Sequence, residues 1–230
     1  ETDLDDVPDA ALIGAYDGSM PYMGLHDWAV ATGTWREGVR AYLASVNFAD
    51  AMVGRVIDTL DESGRFDRTI IVLWSDHGWH LGEKLRWRKH TIWEESTHVP
   101  LIIVAPGVTE PGARTDRVVS LMDLYPTLVD LAGLEAPDHL EGRSLLPLLL
   151  DPESEWTHVA LSTFGYRNHA IRSDRYRYIR YRDGSEELYD HESDPNEWHN
   201  LAADPDYAEI KTQLAERLPE SDAPDALFLE

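Results

Sequence analysis

Asp76 and His77 follow the apolar run Thr69-Ile70-Ile71-Val72-Leu73-Trp74 with only Ser75 between. Gly78, Trp79, His80, Gly82, Glu83 and Lys84 come close behind them. A β-branched apolar run reads as a buried strand, and in open α/β sheets ligand chemistry gathers beyond the carboxyl ends of strands. An acid and an imidazole delivered together to that rim offer two donors to a metal ion, or two polar partners to a charged substrate. The competing reading makes Asp76 the N-cap of a helix after the strand. On these residues alone both readings stay open. Arg86, Trp87 and Arg88 follow, a basic and aromatic cluster that would suit an anionic ligand or would balance an acidic surface.

Several elements must position these residues. Val39, Tyr42, Leu43, Val46, Ala49, Met52, Val53, Val56, Ile57 and Leu60 recur at helical spacing and predict a long helix over Trp35–Leu60. Gly64 serves as its stop. A strand is expected over 69–75, and a second buried strand over 99–105, ended by Pro106-Gly107. Met122 to Gly133 reads as a short helix with Pro126 in its first turn, where a missing N–H costs nothing. Residues 1–35, with Pro8, Gly14, Gly18, Pro21, Gly24 and Gly33, read as loop. After Asp151-Pro152 the pattern changes to short strands over 159–164, 169–172, 175–181 and 187–189, with Asp183-Gly184 as a hairpin turn. A terminal helix is expected over 206–217. Residues 1–150 are therefore expected to form part of an α/β domain, and residues 151–230 a smaller α+β unit.

Composition excludes several functions. With 43 acids against 20 bases the net charge is −23, which repels nucleic-acid phosphates. The interleaved Arg175, Tyr176, Arg177, Tyr178, Arg180, Tyr181 and Arg182 are accordingly read as a two-sided strand rather than a nucleic-acid surface. Lys84, Lys89 and Lys211 are the only lysines, the other bases being arginine. An acid-rich, lysine-poor surface gains from salt screening, and adaptation to a salty environment is expected. The alternative is an ordinary acidic protein. The chain has no cysteine, hence no disulfide and no thiolate ligand or nucleophile. No apolar run is long enough to span a bilayer.

The ordered series Val53-Gly54-Arg55-Val56-Ile57-Asp58-Thr59-Leu60, Thr69 to Gly78, Trp87-Arg88-Lys89-His90-Thr91, Val99-Pro100-Leu101-Ile102 and Ala105-Pro106-Gly107 continues into the tail. There it carries Arg172-Ser173-Asp174-Arg175-Tyr176-Arg177-Tyr178, Glu187-Leu188-Tyr189-Asp190, Asp194-Pro195-Asn196-Glu197 and Asn200-Leu201. In this order it resembles the C-terminal half of a type I sulfatase of the alkaline phosphatase superfamily, nearest to iduronate-2-sulfatase-like and choline-sulfatase-like members. The resemblance covers nearly the whole chain. It implies an alkaline-phosphatase-like α/β/α sandwich followed by a small antiparallel sheet with a terminal helix.

It also implies a chemistry. In that family a formylglycine hydrate attacks the sulfate sulfur with help from a divalent cation, usually calcium. Asp76 matches the metal carboxylate of the second half. His77 stands where many members carry asparagine and the iduronate branch carries histidine. Lys89 matches the lysine that contacts the sulfate oxygens and the leaving group, so it is the expected catalytic residue and a substrate contact. His90, Trp79 and His80 are further candidates for the substrate entrance. For Trp79 and His80 the alternative is packing of the turn, and His98 is read as structural. The Cys/Ser-x-Pro-x-Arg motif that becomes formylglycine is absent, as are the paired aspartates, lysine and histidine expected upstream. The chain is therefore expected to need an N-terminal half for turnover, and to be inactive alone. The expected ligand is a sulfated small molecule or saccharide. A phosphodiesterase or phosphonate monoester hydrolase of the same superfamily, and a non-catalytic half-sulfatase module, are the rival functions. Two compartments fit: the cytoplasm of a salt-accumulating halophile, or the periplasm and exterior.

Overall fold

The computed structural model describes residues 2–13 and 23–223. The amino-terminal stretch is not the loop expected. Thr2–Leu4 forms a 3-10 turn, Asp9–Ile13 the helix α1 and Met23–Thr32 the helix α2. Gly14, Gly18 and Pro21 of the expected loop lie outside the described residues. Gly24 lies in the first turn of α2, where glycine lowers intrinsic helix propensity without preventing a helix that tertiary contacts hold. His26 of α2 is buried and meets the Trp35 ring edge-on at 4.8 Å.

The long helix α3 covers Trp35–Glu62. It ends as its glycine suggests: Gly64 takes φ +65 and its amide donates to the Asp61 carbonyl. None of its residues is buried. Leu43 and Val56 of its apolar stripe are more than half exposed, so the stripe is only partly covered among the described residues. Strand β1 (Ile71–Trp74) follows. The loop after it leads to the two-residue strands β2 (His80–Leu81) and β3 (Trp87–Arg88), paired antiparallel. After the short helix α4 (Glu94–Thr97), strand β4 (Leu101–Val104) pairs antiparallel with β1, Ile71 opposite Val104 and Trp74 opposite Leu101. Neither strand is fully buried as the sequence predicted; Leu73, Trp74 and Ile102 are exposed. A two-stranded ribbon has no second layer on both faces to cover it.

Helix α5 (Leu124–Leu131) carries Pro126 in its first turn, and α6 (Leu146–Leu150) packs Leu148 and Leu145 against Trp156. Strands β5 (Ala160–Thr163), β6 (His169–Arg172), β7 (Tyr176–Arg180) and β8 (Glu186–Asp190) then form an antiparallel sheet in sequential order. Alternation sorts its two faces. Ile171, Tyr178 and Leu188 face Leu214 of α7 (Ala208–Ala215) and Leu218 just beyond it. Ala170, Ile179 and Tyr189 face Ile92 and Trp93. The second face joins the carboxy-terminal sheet to the segment preceding β4, so the units 1–150 and 151–230 share one core.

That shared core is unusually ionic. Arg177, read from sequence as part of a two-sided strand, is 2% exposed; its Nε donates to Glu197 Oε1 at 2.5 Å and its Nη2 donates to Glu94. The Lys84 ammonium is buried as well, donating to Asp3 Oδ1 at 2.9 Å and to the Glu197 carbonyl. Glu187, fully buried, accepts from Trp93 Nε1 at 2.7 Å, Tyr181 Oη at 2.7 Å and Tyr189 Oη at 2.6 Å. Arg177 and Lys84 thus each meet a carboxylate and Glu187 a set of three donors, as burial requires.

Candidate active site

The loop Ser75-Asp76-His77-Gly78 leaves the end of β1 and is pinned to α4. The Gly78 amide donates to the Ser96 carbonyl at 2.8 Å, and Ser75 Oγ donates to the His77 carbonyl at 2.8 Å. A Cβ on Gly78 would lie 1.9 Å from the Glu95 carbonyl oxygen, so only glycine lets the loop approach this closely. Asp76 is thereby pushed outward, its side chain 74% exposed, and His77 is held half under it.

The His77 ring has a defined tautomer. Its Nδ1 lies 2.8 Å from the Gly78 carbonyl oxygen, which only accepts, so Nδ1 carries the proton. In the neutral ring this leaves the Nε2 lone pair free, 3.7 Å from Asp76 Oδ1. Two ligands each about 2.3–2.6 Å from one cation and at right angles lie roughly 3.3–3.7 Å apart. The pair therefore fits a shared cation, with the backbone acting as the outer partner that orients a metal-binding imidazole. Calcium takes six to eight oxygens, so two such donors could supply only part of a coordination sphere.

Lys89 and His90 lie just after β3. Lys89 is exposed, and no ion pair engages its ammonium among the described residues. The other two lysines are tied down, Lys84 to Asp3 and Lys211 to Glu186. Burial lowers the pKa of His90, and the charges of Lys89, Arg88 and His77 push it the same way, which puts His77 within electrostatic reach of this segment. His90, with Lys89 beside it in the chain, thus lies within electrostatic reach of His77. Trp79 is partly exposed beside His77; its ring stacks with His77 at 6.0 Å and with Tyr42 of α3 at 6.1 Å.

Two other residues fall elsewhere. His80 is 0% exposed, its Nε2 2.7 Å from Thr91 Oγ1 and its ring edge-on to Trp93 at 6.2 Å. It has no surface to offer a substrate and fills the packing role. Arg86, grouped in the sequence with Trp87 and Arg88 as a basic cluster, is buried instead and donates to the Ala11 and Leu12 carbonyls. His98 pairs with Glu94 Oε1 at 3.2 Å. Sequence reasoning also missed α4 as the anchor of the site. The one signal for it was Gly78, which shows that something approaches closely without showing what.

Glu94, His191 and Glu197 also bring ligand atoms within 4.8 Å of one another. Arg177 already supplies the cation: its guanidinium bonds both carboxylates, and Arg172 Nε lies 3.4 Å from Glu94. A divalent ion added there would meet this positive charge.

Comparison with known proteins shows the family. Residues 9–134 match the sulfatase family profile, and residues 82–223 match that of the N-sulphoglucosamine sulphohydrolase C-terminal region. A sulfatase of Formosa agariphila is 41% identical over 96% of this chain and 43% of its own length. Among solved structures, one determined in complex with its substrate D-glucosamine-2-N,6-O-disulfate superposes with a TM-score of 0.74 at 29% identity, over 83% of this chain and 41% of that one. The phosphonate monoester hydrolase of Agrobacterium radiobacter superposes with a TM-score of 0.66 at 33% identity, over 73% of this chain and 38% of that one. The fold is that of the alkaline-phosphatase-like hydrolases. Within them, the chain belongs to the type I sulfatase family. It spans less than half the length of these relatives.

Proposed function

We propose that this chain supplies the second half of a sulfatase active site that hydrolyses sulfate esters of a sulfated carbohydrate. The observation that carries this reading is the Nδ1–H of His77 held on the Gly78 carbonyl, which turns Nε2 towards Asp76 at the end of β1. Asp76 and His77 would hold the divalent cation, calcium in most relatives of this kind, which when bound polarises the sulfate oxygens. Lys89, the one lysine with an exposed ammonium and no ion pair among the described residues, would bind sulfate oxygens and stabilise charge on the departing oxygen. His90 and Trp79 would line the entrance.

The nucleophile, a formylglycine in this family, would come from a segment outside these residues. The partly covered apolar stripe of α3 and the half-covered β1–β4 ribbon support this, because a longer chain would cover both. Relatives more than twice as long agree. The chain alone is then inactive, and the units 1–150 and 151–230 are two parts of one hydrolase. Native mass spectrometry in high salt tests this. A second, larger chain bound to the 26.1 kDa one, carrying the mass change of formylglycine and turning over an aryl sulfate, is the expected result. Robust turnover by the 26.1 kDa chain alone would refute it.

The phosphonate monoester hydrolase likeness supports a second reading, hydrolysis of phosphonate or phosphate esters at the same site. The ratio of sulfate-ester to phosphonate-ester turnover in the assembled enzyme separates the two.

A further inference from the structure

Helix α3 leaves most of its length open to solvent, yet its first two turns come down on the loop that carries the candidate ligands. Trp35, Gly38 and Tyr42 lie three and four positions apart, on one face of the helix. The Trp35 ring meets the Trp87 ring edge-on at 5.9 Å. A Cβ on Gly82, which sits at φ +119, would fall 2.1 Å from the Trp35 ring. A Cβ on Gly38 would fall 3.1 Å from the Trp87 ring, so the missing side chain there lets α3 approach the β2–β3 hairpin closely. Tyr42, one turn further on, stacks its ring on that of Trp79 at 6.1 Å, with 22° between the planes. Trp79 in turn stacks on the His77 ring at 6.0 Å and 29°.

We propose that Tyr42 and Trp79 are positioning residues for the His77 imidazole: through them the docking of α3 fixes the plane of the ring whose Nε2 is offered to a cation. The proposal rests on the reading of His77 as a metal ligand, and it goes beyond the entrance role given to Trp79. Two observations support it. The first is that one hydrogen bond does not fix a ring. The Nδ1–H bond to the Gly78 carbonyl, over 2.8 Å, decides which way round the imidazole sits. Hydrogen bonds tolerate a broad range of directions at a carbonyl oxygen, so the ring can still rock about this one. A near-parallel indole face limits the rocking, because offset stacking favours a particular separation and tilt. A metal-binding imidazole depends on such outer partners for its orientation.

The second observation is where α3 is covered. Among residues 35–50 only Gly38, Val39 and Tyr42 are withdrawn from solvent, while Leu43, Val46 and Phe48 are exposed. The covered face of this half of the helix is therefore the one that meets Trp87 and Trp79.

The test is nuclear magnetic resonance of the 230-residue chain labelled with nitrogen-15 in its histidines, with Mn²⁺, which suits carboxylate ligands, as the cation probe. In the parent the two His77 ring nitrogens should show the well-separated shifts of one fixed tautomer, and Mn²⁺ should broaden the ring signals. Trp79→Leu and Tyr42→Leu should each draw the two shifts together, because a loosened ring exchanges tautomers. Each should also weaken Mn²⁺ binding about three- to tenfold, the range one aromatic pair supports. Trp79→Phe, which keeps an aromatic face, should restore both. Tyr42→Leu replaces a residue on a helix surface and should keep the circular dichroism of the parent, so the test holds even where Trp79→Leu unfolds. Unmoved His77 shifts in Tyr42→Leu and in a folded Trp79→Leu overturn the positioning role, and Mn²⁺ broadening that persists in them leaves the ligand reading of His77 standing. Shifts that draw together in the variants, with no Mn²⁺ broadening in the parent, support the positioning role and remove the cation from His77.

Discussion

The α-carbon of Gly78 lies so close to α4 that a methyl group on it would fall 1.9 Å from the Glu95 carbonyl oxygen, while its amide donates to the next carbonyl, that of Ser96, at 2.8 Å. This one contact sets where Asp76 and His77 stand. Gly78→Ala should therefore displace the loop, cost roughly 2–4 kcal/mol of stability and weaken divalent-cation binding. Thermal unfolding and calcium titration check both. An alanine variant with unchanged melting temperature and calcium affinity would show that the loop is not held by α4.

The Arg177–Glu197–Glu94 network should behave as a buried ionic cluster. Removing the guanidinium in Arg177→Ala takes the main cation from the buried Glu197 and the partly buried Glu94 and should cost about 3–5 kcal/mol. Burial alone would raise the Glu197 carboxyl, but Arg177, His191 and the Glu94 amide outweigh it and hold its pKa below the usual range. Its stabilising contribution is present above the ordinary glutamate pKa and is lost as pH falls through the lower folded value. Denaturant melts of Arg177→Ala at neutral pH measure the cost, and a loss under 1 kcal/mol would contradict it.

Two buried groups should oppose one another in the window from about pH 4.3 to 6.5. Burial, with Arg86 and Lys84, pushes His80 down to about 4, so its contribution is lost as pH falls from 6.5 towards 4. Burial pushes Glu95 up to about 7, with Glu197 and Glu83 adding to it, so its contribution is gained as pH falls from 7 towards about 4.3. Glu95→Gln should expose the His80 slope, a loss of about 3 kcal/mol on acidification across its window. His80→Gln, which keeps a donor near Thr91, should show the reverse slope. Parallel pH profiles for the two variants would contradict the assignment.

Salt should stabilise the chain. With a net charge of −23, self-repulsion is long-ranged in dilute buffer and screened within about 3 Å at 1 M salt. The melting temperature should climb between 0.1 and 2 M potassium chloride, and a flat or falling response would speak against a salt-adapted surface.

Much of this was legible in the sequence, for definite reasons. The apolar spacing of Val39 to Leu60 and the stop at Gly64 give α3 almost to the residue, and Asp183-Gly184 marks the β7–β8 turn, where Gly184 takes φ +87. Alternation gave all four strands of the carboxy-terminal sheet. The short helices α1 and α2 were hidden by the prolines and glycines around them. Arg177 and Glu187 are read from sequence only as members of short strands, and their burial shows only through partners distant in sequence. His77 and His80 are the same residue type three positions apart. What separates a candidate ligand from a packed ring is the Thr91 contact and the burial, neither of which local sequence carries.

The sulfate site itself is tested most directly at Lys89. Steady-state hydrolysis of 4-nitrophenyl sulfate by the assembled enzyme carrying Lys89→Ala should show kcat/KM reduced about 10²–10³-fold, the loss expected when one charge-stabilising donor is removed, with the fold and the Asp76–His77 pair intact. Turnover at the parent rate would contradict the assignment of this chain as the sulfate-binding half of the active site.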